Sequence, residues 1–191
     1  MRHIIYFSRH AQTSGNFTDL MKAGRMDIAI HTIIASVFLS HGVRDDVVVH
    51  LVFYGMPDPP KHIEIRTNKD LDISKKDVAS LIKKILYKYK EGKKTEVFPG
   101  CFIEKKSLIK VVEELSEKDC GIFLLDKKGE DIRDAEISGD CAFVLGDQDG
   151  IPKKELKRIQ QMAETVSIGP KIYFASHVVA VLNNELDRRG I

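Results

Sequence analysis

Ala142-Phe143-Val144-Leu145-Gly146-Asp147-Gln148-Asp149-Gly150 is an apolar run that breaks into an acidic loop bounded by glycines. Pro152 suits the first turn of a helix, which the pattern extends to about Met162. Thr165 to Ile168 then reads as a short strand, followed by the loop Gly169-Pro170-Lys171-Ile172-Tyr173. From Ile172 the chain turns helical to about Arg188, with Phe174, Val178, Val181 and Leu182 on one face. Strand, loop, helix, strand, loop, helix is the order of an α/β sheet protein. In such sheets ligands bind beyond the carboxyl ends of the strands. Three such ends fall here: Leu124-Leu125-Asp126, the loop after Leu145 and the loop after Ile168.

Working outward, Ile4 to Phe7 reads as a first strand and Ser8 to Gly24 as a polar loop. Ile30, Ile33, Ile34, Val37 and Phe38 recur at helical spacing, with Asp27 placed as N-cap and Gly42 as the stop. Val47 to Phe53 is almost continuously apolar, as a strand buried on both faces must be. Met56-Pro57-Asp58-Pro59-Pro60 is a rigid loop, and the alternation from His62 to Arg66 predicts an edge strand. Asp72 or Ser74 can cap a helix with the stripe Val78, Leu81, Ile82, Ile85 and Leu86. Phe98-Pro99-Gly100 reads as a connection, Ser107 to Leu115 as a short helix and Gly121 to Leu125 as a buried strand. The expectation is an α/β fold around a mostly parallel sheet, a single domain over residues 1–191.

The chain has 191 residues, 43% of them hydrophobic, which excludes a disordered protein and leaves room for little more than one domain. Three cysteines, Cys101, Cys120 and Cys141, exclude a disulfide scaffold and show no C-x-x-C spacing. The longest uncharged run, between Asp27 and Arg44, is 16 residues, short of a membrane span. The first residues lack the pattern of a leader peptide, so a cytoplasmic protein is expected. The net charge of +2 is unevenly spread: residues 61–110 hold fourteen basic and seven acidic residues, whereas residues 111–150 hold four and twelve. The lysine-rich segment can meet a phosphate backbone, or can be a solvated helix face.

Several chemistries are excluded by motif. Neither glycine loop is G-x-G-x-x-G or a P-loop. Asp147 and Asp149 have no third carboxylate at suitable spacing, and the histidines show no ligand pattern, so no metal is expected. Ser176-His177 are neighbours without a G-x-S-x-G elbow, which excludes a serine hydrolase.

The arrangement strand–LGDQDG–helix–strand–IGPKIYFASH–helix resembles the SPOUT methyltransferases. Across the whole chain, Ala23-Gly24-Arg25-Met26-Asp27, Phe38 to Arg44, Glu130-Asp131-Ile132-Arg133, Gly169-Pro170-Lys171, Ala175-Ser176-His177 and Asn184 to Arg188 are similar to the TrmY family of archaeal tRNA pseudouridine N1-methyltransferases. The resemblance implies a trefoil knot within about residues 121–191, a homodimer, and S-adenosylmethionine held by Leu125, Gly146 and the loop Ile168, Gly169, Pro170, Lys171, Ile172 and Tyr173. Val178 belongs to the same set, standing where relatives often have cysteine. The implied reaction is N1-methylation of pseudouridine-54 in the tRNA T-loop. An rRNA pseudouridine, or a non-catalytic RNA-binding module of the same fold, are the alternatives. Under this reading Asp27 and Arg25 are the catalytic candidates, because the reaction needs a group that orients N1–H and a cation that holds the base or a phosphate. Arg9, Arg25 and Arg44 are the candidates for RNA contact.

Overall fold

Each of the seven residues from Val47 to Phe53 is buried, so this strand must have neighbours on both edges and layers on both faces. The computed structural model, which describes residues 1–67 and 73–191, supplies them. The chain runs β1 (Arg2–Ser8), α1 (Met26–Val37), β2 (Val47–Phe53), β3 (Lys61–Arg66), α2 (Val78–Tyr87), β4 (Thr95–Phe98) and β5 (Cys101–Glu104). It continues α3 (Leu108–Ser116), β6 (Gly121–Asp131), β7 (Cys141–Gly146), α4 (Lys153–Ile159), β8 (Glu164–Ser167) and α5 (Ala175–Arg189). One eight-stranded sheet has the order β4-β5-β3-β2-β1-β7-β6-β8. The five strands from β2 to β8 in that order pair in parallel. The β3, β5 and β4 strands extend the sheet antiparallel.

Alternation along β1 divides the core in two. Ile4 and Tyr6 join the cluster built with α1, α2 and α5, while Ile5 and Phe7 join the one built with α3 and α4. Helices on both faces are what a largely parallel sheet requires. Among the described residues, no helix is long and apolar enough to cross a membrane. The three cysteines are buried and unbridged.

Several expectations are corrected. The β3 strand is an interior strand, because the segment around Phe98-Pro99-Gly100 is a β4–β5 hairpin that covers it. Gly100, at φ 77°, takes the left-handed turn position that this hairpin needs. Gly42 does not stop α1. The helix ends at Val37, Phe38 is extended and bridges Val43, and the free Val37 carbonyl accepts from the Arg44 N–H at 2.8 Å. Asp27 is not the N-cap either: that position is Arg25, left-handed at φ 62°, and Asp27 lies in the first turn. Asp72 lies outside the described residues, and Ser74 binds Asp77 at 2.7 Å ahead of a helix that begins at Val78. The α4 helix stops at Ile159, short of Met162, and α5 begins at Ala175 rather than Ile172. The packed stripe of α5 is Ala175, Val179, Leu182, Asn183 and Leu186, while Phe174 and Val181 are exposed. Asn183 sets this rotation by donating to the Ala35 carbonyl at 3.1 Å and accepting from Arg2 at 3.2 Å.

On the α3 face, three histidines form a ladder across adjacent strands. His3 Nδ1 lies 3.0 Å from His50 Nε2, His50 Nδ1 lies 2.9 Å from His62 Nε2, and His62 Nδ1 lies 3.1 Å from Glu104 Oε1. Burial disfavours the charged rings: it lowers His3 to about 4, and His50 and His62 are also lowered. In an unfolded chain these rings take protons near pH ~6.5. Below that pH the unfolded state therefore binds more protons than the folded one, and stability falls as pH drops towards 4, where His3 also titrates in the folded state. Thermal unfolding should show a lower Tm at pH ~5 than at pH ~7.5. An unchanged Tm would mean that the ladder is charged in the folded protein.

Candidate active site

The loops that leave β6, β7 and β8 meet at one end of the sheet and enclose a cleft of about 820 Å³. That is within the usual range for small-molecule sites. Its walls include Leu124, Leu125, Asp126 and Lys127, the loop Leu145 to Ile151, and Val166 to Gly169. Lys171, Ile172, Tyr173, His177 and Val178 close one side, and Arg25 and Ile28 of the α1 amino end close another.

Asp147 builds the middle loop. Its carboxylate accepts from Ser8 Oγ at 2.9 Å, from the Arg9 N–H at 2.8 Å and from the Asp149 N–H at 3.0 Å. The Asp147 N–H donates to the Phe7 carbonyl at 3.0 Å, and its own carbonyl accepts from the Gly150 N–H at 3.0 Å. This acid therefore fastens the loop to the carboxyl end of β1. A Cβ on Gly146 would stand 3.2 Å from the Gly150 backbone and 3.3 Å from the Ile151 nitrogen, a tight fit that the loop must give a few tenths of an ångström to admit. Gly169, at φ 142°, holds a backbone shape that side chains rarely adopt, and its N–H and C=O both meet Ser167 Oγ at 3.1 Å.

On the opposite wall, Arg25 donates from Nε and Nη2 to the two oxygens of Asp27 at 3.0 and 2.9 Å. This bond, first among the causes, holds the Asp27 carboxyl below its ordinary value. Arg25 lines the cleft, and Asp27 sits behind it.

Of the nine expected cofactor residues, eight line this cleft; Pro170 is exposed outside it. Arg9 is exposed at the rim, tied through its backbone to Asp147. Arg44 is elsewhere: its guanidinium, 10% exposed, makes a two-pronged pair with Asp187 at 2.7 and 2.6 Å. Part of the lysine-rich segment is likewise paired, Lys94 with Glu64, Lys105 with Asp58, Lys106 with Glu104 and Glu114, and Lys110 with Glu113. The sequence reading placed Asp126 at a ligand-binding strand end but missed Lys127 and His177 as wall residues. It also missed the role of Asp147, whose partners lie more than a hundred residues away.

The lining suits a nucleoside-bearing ligand with charge of both signs, since Arg25, Lys127 and Lys171 stand with Asp126, Asp147 and Asp149. Backbone glycines permit close approach, Leu124, Leu145, Ile168 and Val178 offer an apolar wall, and Asp126 and Asp149 offer negative charge.

Residues 1–191 match a protein family described as "Putative SAM-dependent RNA methyltransferase". The chain belongs to this family. It is 35% identical to the tRNA (pseudouridine(54)-N(1))-methyltransferase of Methanococcoides burtonii, covering 98% of this chain and 96% of that one. It is 36% identical to the enzyme of the same name from Thermococcus gammatolerans, covering 98% and 97%. Among solved structures, it is similar in fold to Nep1 of Archaeoglobus fulgidus bound to S-adenosylhomocysteine, at 18% identity and a TM-score of 0.61, covering 88% of this chain and 73% of that one. This likeness shows a shared fold.

Proposed function

We propose that this chain transfers a methyl group from S-adenosylmethionine to N1 of a tRNA pseudouridine, position 54 of the T-loop. The observation that carries the reading is the near-complete overlap, at 35% identity, with an enzyme of that name. It is supported by a cleft at the strand ends where α/β proteins hold ligands. The cofactor, when bound, supplies an electrophilic methyl. The protein's task is then alignment and the loss of one N1 proton, and holding the partners together can supply much of the rate.

In this reading the glycine loops and residues 168–178 hold the cofactor, and Arg25, backed by Asp27, faces the base. Arg9 and Arg25 meet RNA phosphates or bases at the rim, while Arg44 serves the fold through Asp187. A T-loop nucleotide is more cheaply splayed out than a paired base, so no helix-opening device is needed. Work on tRNA would place the protein in the cytoplasm. Nucleoside mass spectrometry after incubation with labelled cofactor tests the reading. N1-methylpseudouridine in tRNA is expected; label in rRNA alone, or in no RNA, would overturn it.

The trefoil knot belongs to the same reading. Its support is a chain crossing in which a Cβ on Gly129 would stand 2.6 Å from the Thr165 backbone, while the Ile132 N–H binds the Ser167 carbonyl at 2.8 Å. Homodimerisation is the other element. Ile172 at 85% exposure, Phe174 at 59% and Val181 at 46% form apolar surface beside the cleft. Sedimentation should give twice the 21.6 kDa chain mass at micromolar concentration, and Val181→Asp should give monomers. A monomeric wild-type protein would remove the dimer from the proposal.

A further inference from the structure

At the other end of the sheet, a second cavity of about 420 Å³ opens beside the histidine ladder and touches His3, His50, His62 and Glu64. The strand register explains the gathering. His50 stands opposite Glu64 across β2 and β3, and His62 is two residues before Glu64, so all three share one face. One ligand atom from each of His50, His62 and Glu64 lies within 4.8 Å of the other two. We propose that these three side chains bind a divalent transition ion of the zinc type, with a fourth position open to the cavity for water.

The geometry is close to what such an ion needs. Two nitrogens on one tetrahedral zinc at ~2.0–2.1 Å stand roughly 3.3 Å apart. His50 Nδ1 and His62 Nε2 face each other in a head-on hydrogen bond of 2.9 Å with ring centroids 5.2 Å apart, so an ion replaces this bond and both rings turn to aim their lone pairs at it. The second sphere is already built. His62 holds Glu104 at 3.1 Å through its other ring nitrogen, the carboxylate–histidine–metal arrangement. Arg66 and Lys94 already bind Glu64, one on each oxygen, but each carboxylate oxygen retains a second lone pair. Two imidazoles and one carboxylate select zinc, cobalt or nickel over magnesium or calcium.

The ladder also balances the protons. The Glu104 carboxylate accepts only, so His62 carries its proton on Nδ1 and offers Nε2 as a lone pair. His50 then donates from Nδ1 to His62, and His3 donates from Nδ1 to His50 Nε2. An ion at His50 Nδ1 displaces that proton to His50 Nε2, which donates to His3 Nδ1. The proton of His3 moves to its Nε2. Two rings change tautomer, and no proton is released.

Titration of the metal-free protein with Co(II) tests this. One ion per chain is expected, with the visible absorption of a four-coordinate site, displaced by zinc. Glu104→Gln, which keeps the shape but weakens the second sphere, should reduce affinity by ~10–100-fold. His62→Gln should abolish uptake. Should that variant not fold, Glu64→Gln keeps the size and most hydrogen bonds and must show the loss, with circular dichroism checking the fold. Calorimetry in buffers of different ionisation enthalpy should show no proton release at neutral pH. Absence of uptake by the wild-type protein, or uptake unchanged in a folded Glu64→Gln, would overturn the site. Release of about one proton per ion would overturn the tautomer-coupled binding proposed here.

Discussion

Gly146→Val should abolish measurable S-adenosylmethionine binding and leave the protein folded. A Cβ at Gly146 already stands 3.2 Å from the Gly150 backbone, and the two methyl groups of valine reach further into the same space. The loop cannot retreat easily. Asp147 holds it to Ser8 and Arg9 through two hydrogen bonds and closes a turn on Asp149 with a third. The 146–151 segment must therefore move at the cleft wall, where backbone groups face the ligand. A loss of a hundredfold or more is expected, about 2.8 kcal/mol at ~1.4 kcal/mol per tenfold. The strand itself should survive, because Gly146 is the last residue of β7 and the core positions Phe143, Val144 and Leu145 are untouched. Gly146→Ala, with contacts of 3.2–3.3 Å that need only a small give, should lose far less. Calorimetry checks both. Unchanged affinity in the valine variant would remove this loop from the site.

The sequence makes the central strands legible because burial on both faces leaves no alternation to misread: Ile4 to Phe7 and Val47 to Phe53 are apolar at nearly every position. The β4–β5 hairpin is illegible for the opposite reason. Thr95–Phe98 is four residues long, half-exposed, preceded by lysines and followed by Pro99-Gly100, so little local marks it as a strand. Missing it made β3 look like an edge. The polar residues of β3, His62 and Glu64, are buried because partners from elsewhere satisfy them: Glu104 on β5, Lys94 before β4 and His50 on β2. That compensation is tertiary and leaves no periodic trace.

The cleft follows the same division. Gly146 and Gly169 are legible because a ligand loop after a buried strand calls for residues without side chains. The wall contributed by Arg25 could be guessed from its polar loop, but its backbone could not. Gly24 at φ 73° and Arg25 at φ 62° turn the chain left-handed in succession. This places the Arg25 guanidinium against Asp27 and moves Asp27 from cap to first turn. The rotation of α5 was misjudged because Asn183, a polar residue, belongs to its packed face, held by Ala35 and Arg2.

Asp27→Asn should lower methyl transfer by ~10²-fold while leaving S-adenosylmethionine affinity intact. The carboxylate is ionised at neutral pH, since the Arg25 hydrogen bond holds it below the ordinary range. In that state it can accept a hydrogen bond from N1–H of the base and orient it, or keep the Arg25 guanidinium turned towards the cleft. Asparagine retains the size but offers one acceptor where Arg25 uses two, at 3.0 and 2.9 Å. It also loses the charge that favours departure of the N1 proton. Asp27 is the acidic residue in the first turn of α1, where negative charge favours the helix start, so circular dichroism and Tm of the variant separate a loss of rate from a frayed helix. Arg25→Ala separates the two roles. It should weaken RNA binding and raise KM, because Arg25 lines the cleft. If Asp27 acts through Arg25, the double variant loses no more than the larger single loss; if each touches the substrate, the losses add. Single-turnover rates at saturating cofactor measure both. Wild-type rates for Asp27→Asn would leave Arg25 as the sole contributor of this wall, and transfer would then rest on alignment with water taking the proton.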